Sequence, residues 1–525
     1  MEVHPLKRPG LLVEKHFVVL ILPFRHRLSP STVRDELAAV DGHGAWQHWW
    51  TRFDDSGLQR ILDDTYFFLP HVREMLFPET GLLSLGDASK KLQEARSIQN
   101  APLSKLIGRL GPDPVLRLTA GKDLIGALRS TRLVFDADED RFEAQMRVDW
   151  ADVALFPQSV GILAMKVQIL PDDPSGLNTD QLSDMLYYVH PVHQLTLNWK
   201  FAEWCPEGWE TSFSSRDLVD AFLADLGDME GQRMGSIPSL LKDRLENLRG
   251  DGCARYTSTS MGQVYSDAFS YYAFVCLGDD GPPPRQAEPP YDSLEEQAMF
   301  EFVEAADSSD PDFLPSAREL ERIRAEDSVG PWAAWRGVAR GNRAIFLSHT
   351  ATPFMTNTFA HNVESDYLNM WLLATFQKTR LSMMFGQLVR RSEALYGNLR
   401  SAQKMWDAYM AFENKHWFSE VTNKRQGRAL YAWMQHAMDA EDIHDELSRE
   451  VGELREHYER KDERTVSRIL YFIAIIGPPL SILSALLGAT KASDASWQFW
   501  SIAGCVVYVA VWFFYWASQR FLRRG

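Results

Sequence analysis

The sequence predicts an α+β (α/β) cytosolic domain that runs into a long α-helical stalk and ends in a two-helix transmembrane hairpin. Three observations lead there. Two apolar runs stand near the end of the chain, VSRILYFIAIIGPPLSILSALL at 466–487 and WQFWSIAGCVVYVAVWFFYWA at 497–517. Each has about the ~20 residues that a helix needs to cross a bilayer, and the short polar stretch between them makes them an antiparallel hairpin. Before them, residues 364–477 contain no proline and keep a helical pattern. The first 280 residues instead mix β-branched strand signals with short helical patterns, the order expected around one sheet.

Composition narrows the function. The 525 residues carry a net charge of −16, with 45% hydrophobic and 24% charged residues and a mean hydropathy of −0.27. An acidic chain is a poor partner for nucleic acid, which needs a basic field, and it concentrates cations around itself. The four cysteines form no CxxC pair, so neither a disulfide framework nor a cysteine zinc site is expected. The opening residues lack the apolar core of a signal peptide, so insertion is expected to rely on the hairpin.

Taken in order, the elements are as follows. A strand is predicted at 17–22 (FVVLIL), stopped by Pro23. Ser29 and Pro30 open a helix to about Val40. The aromatic stretches AWQHWWTRF and DDTYFFLPHVREMLFP read as short helices, continued at 92–110 and 121–128. Strand signals dominate RLVFDAD, RFEAQMRVDWADVALFP and VGILAMKVQIL. Helices follow at 179–188, 215–226 and 237–248, then a strand pair in 254–278.

The proline-rich DDGPPPRQAEPPY (279–291) marks a boundary, giving a domain at 1–280 and a connecting region at 281–342 with helices at 293–306 and 316–326. A helical arm and stalk occupy 343–465, after the strand RAIFLS (343–348), and the hairpin with its basic tail occupies 466–525. Within the arm, a helix or helix pair spans 364–415, with reversals at Gly397 and 416–427. One continuous helix then runs from about 427 into the first span, roughly 90 Å at 1.5 Å per residue. Its apolar stripe (Leu430, Met434, Ala437, Ile443, Leu447, Val451, Leu454, Tyr458) slips in register between 437 and 443. A stripe that long asks for neighbouring helices.

The flanks orient the hairpin. Arg455, Arg460, Lys461, Arg464 and Arg468 precede it, Arg520, Arg523 and Arg524 follow it, and the loop offers only Lys491. The positive-inside rule puts both termini in the cytoplasm of a multi-pass protein. On the first span Ser467, Ala474, Pro478, Ser481, Ala485 and Gly488 share one small-residue face, which serves either close helix packing or a pore lining.

This layout, with Gly-Pro-Pro-Leu-Ser at 477–481, Gly488 at the outer end of the span and the basic tail, resembles the CorA-type divalent cation channels over roughly 364–525. The resemblance implies a homopentamer in a bacterial inner (plasma) membrane. Its pore would be lined by Ser467, Leu470, Ala474, Pro478, Ser481, Ala485, Gly488 and Thr490, with Leu470 as a hydrophobic constriction. It also implies Mg²⁺ or another divalent cation as the ion. Here Gly488-Ala489-Thr490 stands where the family has Gly-Met-Asn, which leaves the ion open. Divergent CorA-like chains resemble membrane effectors of bacterial antiviral systems, including those beside type III CRISPR loci, which implies a nucleotide second messenger as ligand. Three functions follow as expectations: a ligand-gated ion channel, a magnesium or divalent cation transporter gated by its ion, or a non-conducting membrane-anchored scaffold. The expected partners are copies of the chain, lipid and a small nucleotide; no catalytic residues are expected.

Other candidates read more blandly. Asp439, Glu441, Asp442, Asp445, Glu446, Glu450, Glu453 and Glu456 could sense divalent ions, but interleaved Arg449, Arg455 and Arg460 describe a solvated helix face. His190 and His193, followed by Cys205, lack further zinc ligands. GKDLIG (121–126) lacks the earlier glycine of a P-loop. The hydroxyl-rich stretches RYTSTSMGQ (255–263) and SHTATPFMTNTFAHN (348–362) are candidate ligand surfaces, with capping and turns as the alternative.

Overall fold

A strand covered on both faces reads as an unbroken apolar run, and residues 17–24 are all buried in β1 (Leu12–Arg25) of the computed structural model. The structure describes residues 10–25, 46–136 with short gaps, 141–170, 176–189, 203–206, 213–214, 269–278, 287, 290–304 and 314–460, with Leu470 and Gly504 beyond them. These residues form two units, Met1–Phe385 with Asn414–Asp445, and Gly386–Glu413 with Glu446–Gly525.

The first unit is built on a thirteen-stranded sheet. After β1 come β2 (Trp46–His48), β3 (Leu116–Ala120), β4 (Thr131–Asp136), β5 (Arg141–Phe156), β6 (Val160–Leu170) and β7 (Leu177–Asn178). The remaining strands are β8 (Glu203–Pro206), β9 (Phe213–Ser214), β10 (Ser270–Leu277), β11 (Ser328–Val329), β12 (Trp335–Arg340) and β13 (Arg343–Ser348). Their spatial order is β11-β12-β13-β10-β1-β6-β5-β4-β8-β9, with β2 on β3, β3 on β5 and β7 on β1. Every pairing is antiparallel except β10 with β13. β1 runs through Pro23 rather than stopping before it. Its ladder to β10 ends at Ile21, so the missing N–H falls where only β6 still pairs.

The helices are α1 (Asp55–Thr65), α2 (Pro70–Leu76), α3 (Ala88–Gln99), α4 (Thr179–Val189), α5 (Leu294–Glu304), α6 (Ala317–Arg322), α7 (Leu368–Arg390), α8 (Ser392–Gly397), α9 (Leu399–Lys415) and α10 (Arg425–Ala437). On one face of the sheet Val18, Leu20 and Leu22 join a core with Leu182, Met185 and Leu186 of α4 and Phe302 of α5. The other face is aromatic. Phe346 lies 5.8 Å from Trp433 of α10, Trp335 4.8 Å from Phe359, and Phe156 stacks on Phe376 of α7 at 4.5 Å. A polar knot sits in this second layer. The Gln377 side chain is fully buried, donates to the His416 carbonyl at 2.9 Å, and accepts from the Tyr431 hydroxyl at 2.6 Å and Gln435 Nε2 at 2.9 Å. It ties the 416–435 segment to α7.

In the second unit Ala402, Met405, Tyr409 and Phe412 of α9 and Leu447, Val451 and Leu454 are buried. The Arg455 guanidinium lies 5.0 Å over the Trp406 ring, and the Tyr458 hydroxyl donates to the Leu395 carbonyl.

Two expectations are corrected. No helix among the described residues is long and apolar enough to cross a membrane. α7 has the length of a span with 23 residues, but Lys378, Arg380 and Arg390 make it a helix of a protein interior and surface. The fold described is therefore a mixed α/β sheet with helices, without the transmembrane hairpin, and the multi-pass inner-membrane location and channel vocabulary built on that hairpin are set aside. Residues 466–525, where the hairpin was expected, lie outside the described residues except for Leu470 and Gly504. The second correction concerns the stalk. α10 ends at Ala437, Asp439 takes a left-handed φ of 55°, and a new helix starts at 440. The register slip between 437 and 443 marks this break.

Candidate functional site

A strand face that is otherwise apolar cannot hold a lysine without a partner, because an unpaired buried ammonium is costly. Lys166 is such a residue. It interrupts the buried run of β6, opposite Val19 of β1, on the face that also carries Lys15 and Phe17. Its ammonium meets Glu364 Oε2 at 2.7 Å and Asp149 Oδ2 at 3.7 Å, and lies 4.9 Å over the Phe17 ring. Glu364 also accepts from Trp150 Nε1 at 3.3 Å. Burial pushes the Glu364 carboxyl up, but the Lys166 ammonium and the Arg52 guanidinium outweigh it and hold the group below its ordinary range.

Around this pair lies a cavity of about 360 Å³. β1 supplies Lys15 and Phe17, β6 supplies Lys166 and Gln168, and α1 supplies Arg60. The remaining wall is Asn357, Ala360, His361 and Glu364. Those four come from an unusual segment. Residues Phe354–Phe359 and Val363–Tyr367 are π-helical, with one α-helical stretch, Ala360–Asn362, between them. A π-turn carries one residue more per hydrogen-bonded loop than an α-turn, re-aims the side chains around it, and recurs at functional sites. The segment is tied to β1 by the Lys15 ammonium, which donates to the Thr356 carbonyl at 2.6 Å.

The lining is strongly one-sided in charge. Lys15, Arg60 and Lys166 are cationic, and among the described residues Glu364 is the only carboxylate in the wall. His361 Nε2 lies 3.1 Å from Asp64 Oδ2, and that hydrogen bond raises its pKa. Behind the wall, burial lowers the His16 pKa to about 4, assisted by Arg147 and Lys166. Its Nε2 accepts from the Ile169 backbone N–H at 2.9 Å, so His16 is a neutral acceptor and not a further cation. Asp366, also in the π-helical segment, is buried with Oδ1 unpartnered; burial, then Asp64, pushes its carboxyl up to about 7. In a chain of net charge −16, a cavity with this lining is a local inversion of sign suited to an anion.

Of the candidates read from the sequence, 348–362 supplies Asn357, Ala360 and His361 to this wall. The other hydroxyl-rich stretch, 255–263, lies outside the described residues, as do His190 and His193; Cys205 is in β8. Ser467, Ala474, Pro478, Ser481, Ala485, Gly488 and Thr490 likewise lie outside them, while Leu470 is 60% exposed. The acidic residues of 439–456 are mostly exposed, with Arg455–Glu459 and Arg460–Glu456 pairs at 2.6 Å. Sequence reasoning missed Lys15, Arg60, Lys166 and Glu364. The signal available was the lone cation in GILAMKVQIL, which demanded a buried counter-charge. No family model matches the chain, and no curated protein or solved structure does so either.

Proposed function

We propose that the first unit is a sensor that captures a small anionic ligand of the nucleotide-phosphate class in the cavity between β1, β6, α1 and the π-helical segment. The observation that carries this reading is the inverted charge of the wall, three fixed cations against Glu364 among the described residues. Glu364 is the internal stand-in for the ligand. A phosphate oxygen that reaches Lys166 replaces the carboxylate, releasing the segment that Glu364 anchors, and the chain passes from that segment into α7. The pore-gating output expected from the resemblance needs bilayer spans, which no described helix supplies. The sensing half of that expectation is the half with supporting side chains.

Calorimetric titration with inorganic phosphate, nucleoside mono- and triphosphates and cyclic nucleotides tests it. At least one nucleotide is expected to bind, with an affinity that falls as salt rises. Arg60→Ala and Lys166→Ala each weaken it by about tenfold or more, as loss of a charge-assisted bond does. Glu364→Gln, which removes the competing carboxylate, tightens it by roughly threefold to tenfold. No heat with any of these anions, or an Arg60→Ala protein that binds as the parent does, overturns the reading.

A further inference from the structure

A second cleft of about 540 Å³ lies elsewhere in the first unit and has the opposite chemistry. Its walls are the β12–β13 turn, the π-helical turn Ile323–Asp327, the end of α5 and the 436–442 stretch at the end of α10 and beyond it. Among the described residues, five carboxylates face it: Glu304, Glu326, Asp327, Asp439 and Asp442. The arginines on the same walls are already engaged. Arg340 Nη1 is 3.1 Å from Glu304, and its Nη2 meets Glu319; Arg322 Nε reaches Glu326 at 3.3 Å. Arg343 Nη1 donates to the carbonyls of Val303 at 3.0 Å and Glu304 at 2.6 Å. His436 stands exposed at the rim, and Lys378, which donates to Asn342 Oδ1 at 2.8 Å, lies behind the turn.

Asp327, Asp439 and Asp442 make no ion pair among the described residues. Asp327 is the sharpest case: it is 6% exposed, and its Oδ2 is buried with no hydrogen-bond partner. An orphaned buried carboxylate oxygen in the wall of an open cleft calls for a donor that is absent from the chain itself. No group of three or more His, Cys, Asp or Glu that could hold a metal ion is found among the described residues. The carboxylates form separate stations, Asp327 on one wall and Asp439 with Asp442 on another, with apolar Phe269, Val303 and Ala437 also on the lining. Charges spaced along a partly apolar trough match ammonium groups spaced along methylenes.

We propose that this cleft binds a linear polyamine, one ammonium hydrogen-bonded to Asp327 and another to Asp439 and Asp442, with the alkyl chain against Val303 and Ala437. Burial raises the Asp327 carboxyl pKa, so the affinity falls on acidification as that carboxylate takes up a proton.

The test is calorimetric titration of the full chain with spermidine, with MgCl₂ at matched ionic strength as the control. Spermidine is expected to bind while MgCl₂ gives no saturable signal. Asp439→Asn with Asp442→Asn weakens spermidine by about fivefold or more. Asn accepts a left-handed φ as Asp does, so the turn survives that exchange. Asp327→Asn weakens binding comparably and flattens its pH dependence. Equal binding of Mg²⁺, or parental spermidine affinity in the Asp439/Asp442 double variant, overturns the proposal.

Discussion

A Gln377→Ala variant is expected to lose roughly 3–5 kcal/mol of folding stability, read as a lowered midpoint in equilibrium denaturant unfolding. The side chain is fully buried and serves three partners at once, the Tyr431 hydroxyl, the Gln435 amide and the His416 carbonyl. Truncation removes that partner from the Tyr431 hydroxyl and the His416 carbonyl in an interior of aromatic rings, while Gln435 Nε2 keeps the Phe418 carbonyl at 3.3 Å, and each buried group stranded without a bond costs about 1–3 kcal/mol. Burial already raises the Tyr431 pKa, which is the same desolvation acting on the phenol. Tyr431→Phe is the control. It removes one donor together with its need for a partner, while Gln377 keeps Gln435 and His416, so its cost is about 1 kcal/mol. A Gln377→Ala protein no less stable than Tyr431→Phe would show that the 416–435 segment is held by packing alone.

Asp366→Asn is expected to act in the other direction at neutral and alkaline pH. Burial, then the Asp64 carboxylate, raises the Asp366 carboxyl from 3.8 to about 7, with Lys424 and His361 opposing. Between those values the folded chain keeps a proton that the unfolded chain has released. The contribution is thus complete in acid, declines as pH rises from 3.8, and is fully lost above about pH 7. The shift corresponds to roughly 2–4 kcal/mol between pH 4 and pH 8. An asparagine stays neutral throughout, so the variant gains on the parent at pH 8 and not at pH 4. His361, whose pKa Asp64 raises, contributes in the same sense and remains in the variant, so the pH slope shrinks without vanishing. Thermal unfolding of both proteins across that range measures the difference; parallel curves would mean that Asp366 is ionised throughout.

How much of this was legible in the residues depended on whether the cause was local. RAIFLS is β13 to the residue, because six apolar or β-compatible positions between turns leave little alternative. The helix expected at 179–188 is α4, and the one at 293–306 contains α5. The break at Asp439 was visible only as a slipped register, since a left-handed φ at a non-glycine residue has no composition signal. The π-helical turns were invisible for the same reason: 348–362 is hydroxyl-rich, and that pattern fits a loop as readily as a widened helix. The candidate site was hardest. Lys15, Arg60, Lys166 and His361 are spread over almost 350 residues, and only the β1–β6 register and the return of the chain at 354–367 bring them to one cavity. The hairpin reading rested on hydropathy, flanking charge and a local resemblance, which are properties of segments and not of the sheet that organises the described residues.

The position of β1 in the sheet carries a consequence for synthesis. The neighbours of its 17–22 stretch are β6, which ends at Leu170, and β10, which ends at Leu277. A ribosome adding about 5–20 residues per second needs on the order of 13–50 s to travel from the end of β1 to the end of β10. For that interval the segment FVVLIL is an apolar strand with at least one bare edge, the form most prone to pair with another chain. Yield of native protein should therefore depend on chaperone supply and on translation rate through residues 170–277, more than on the stability of the finished sheet.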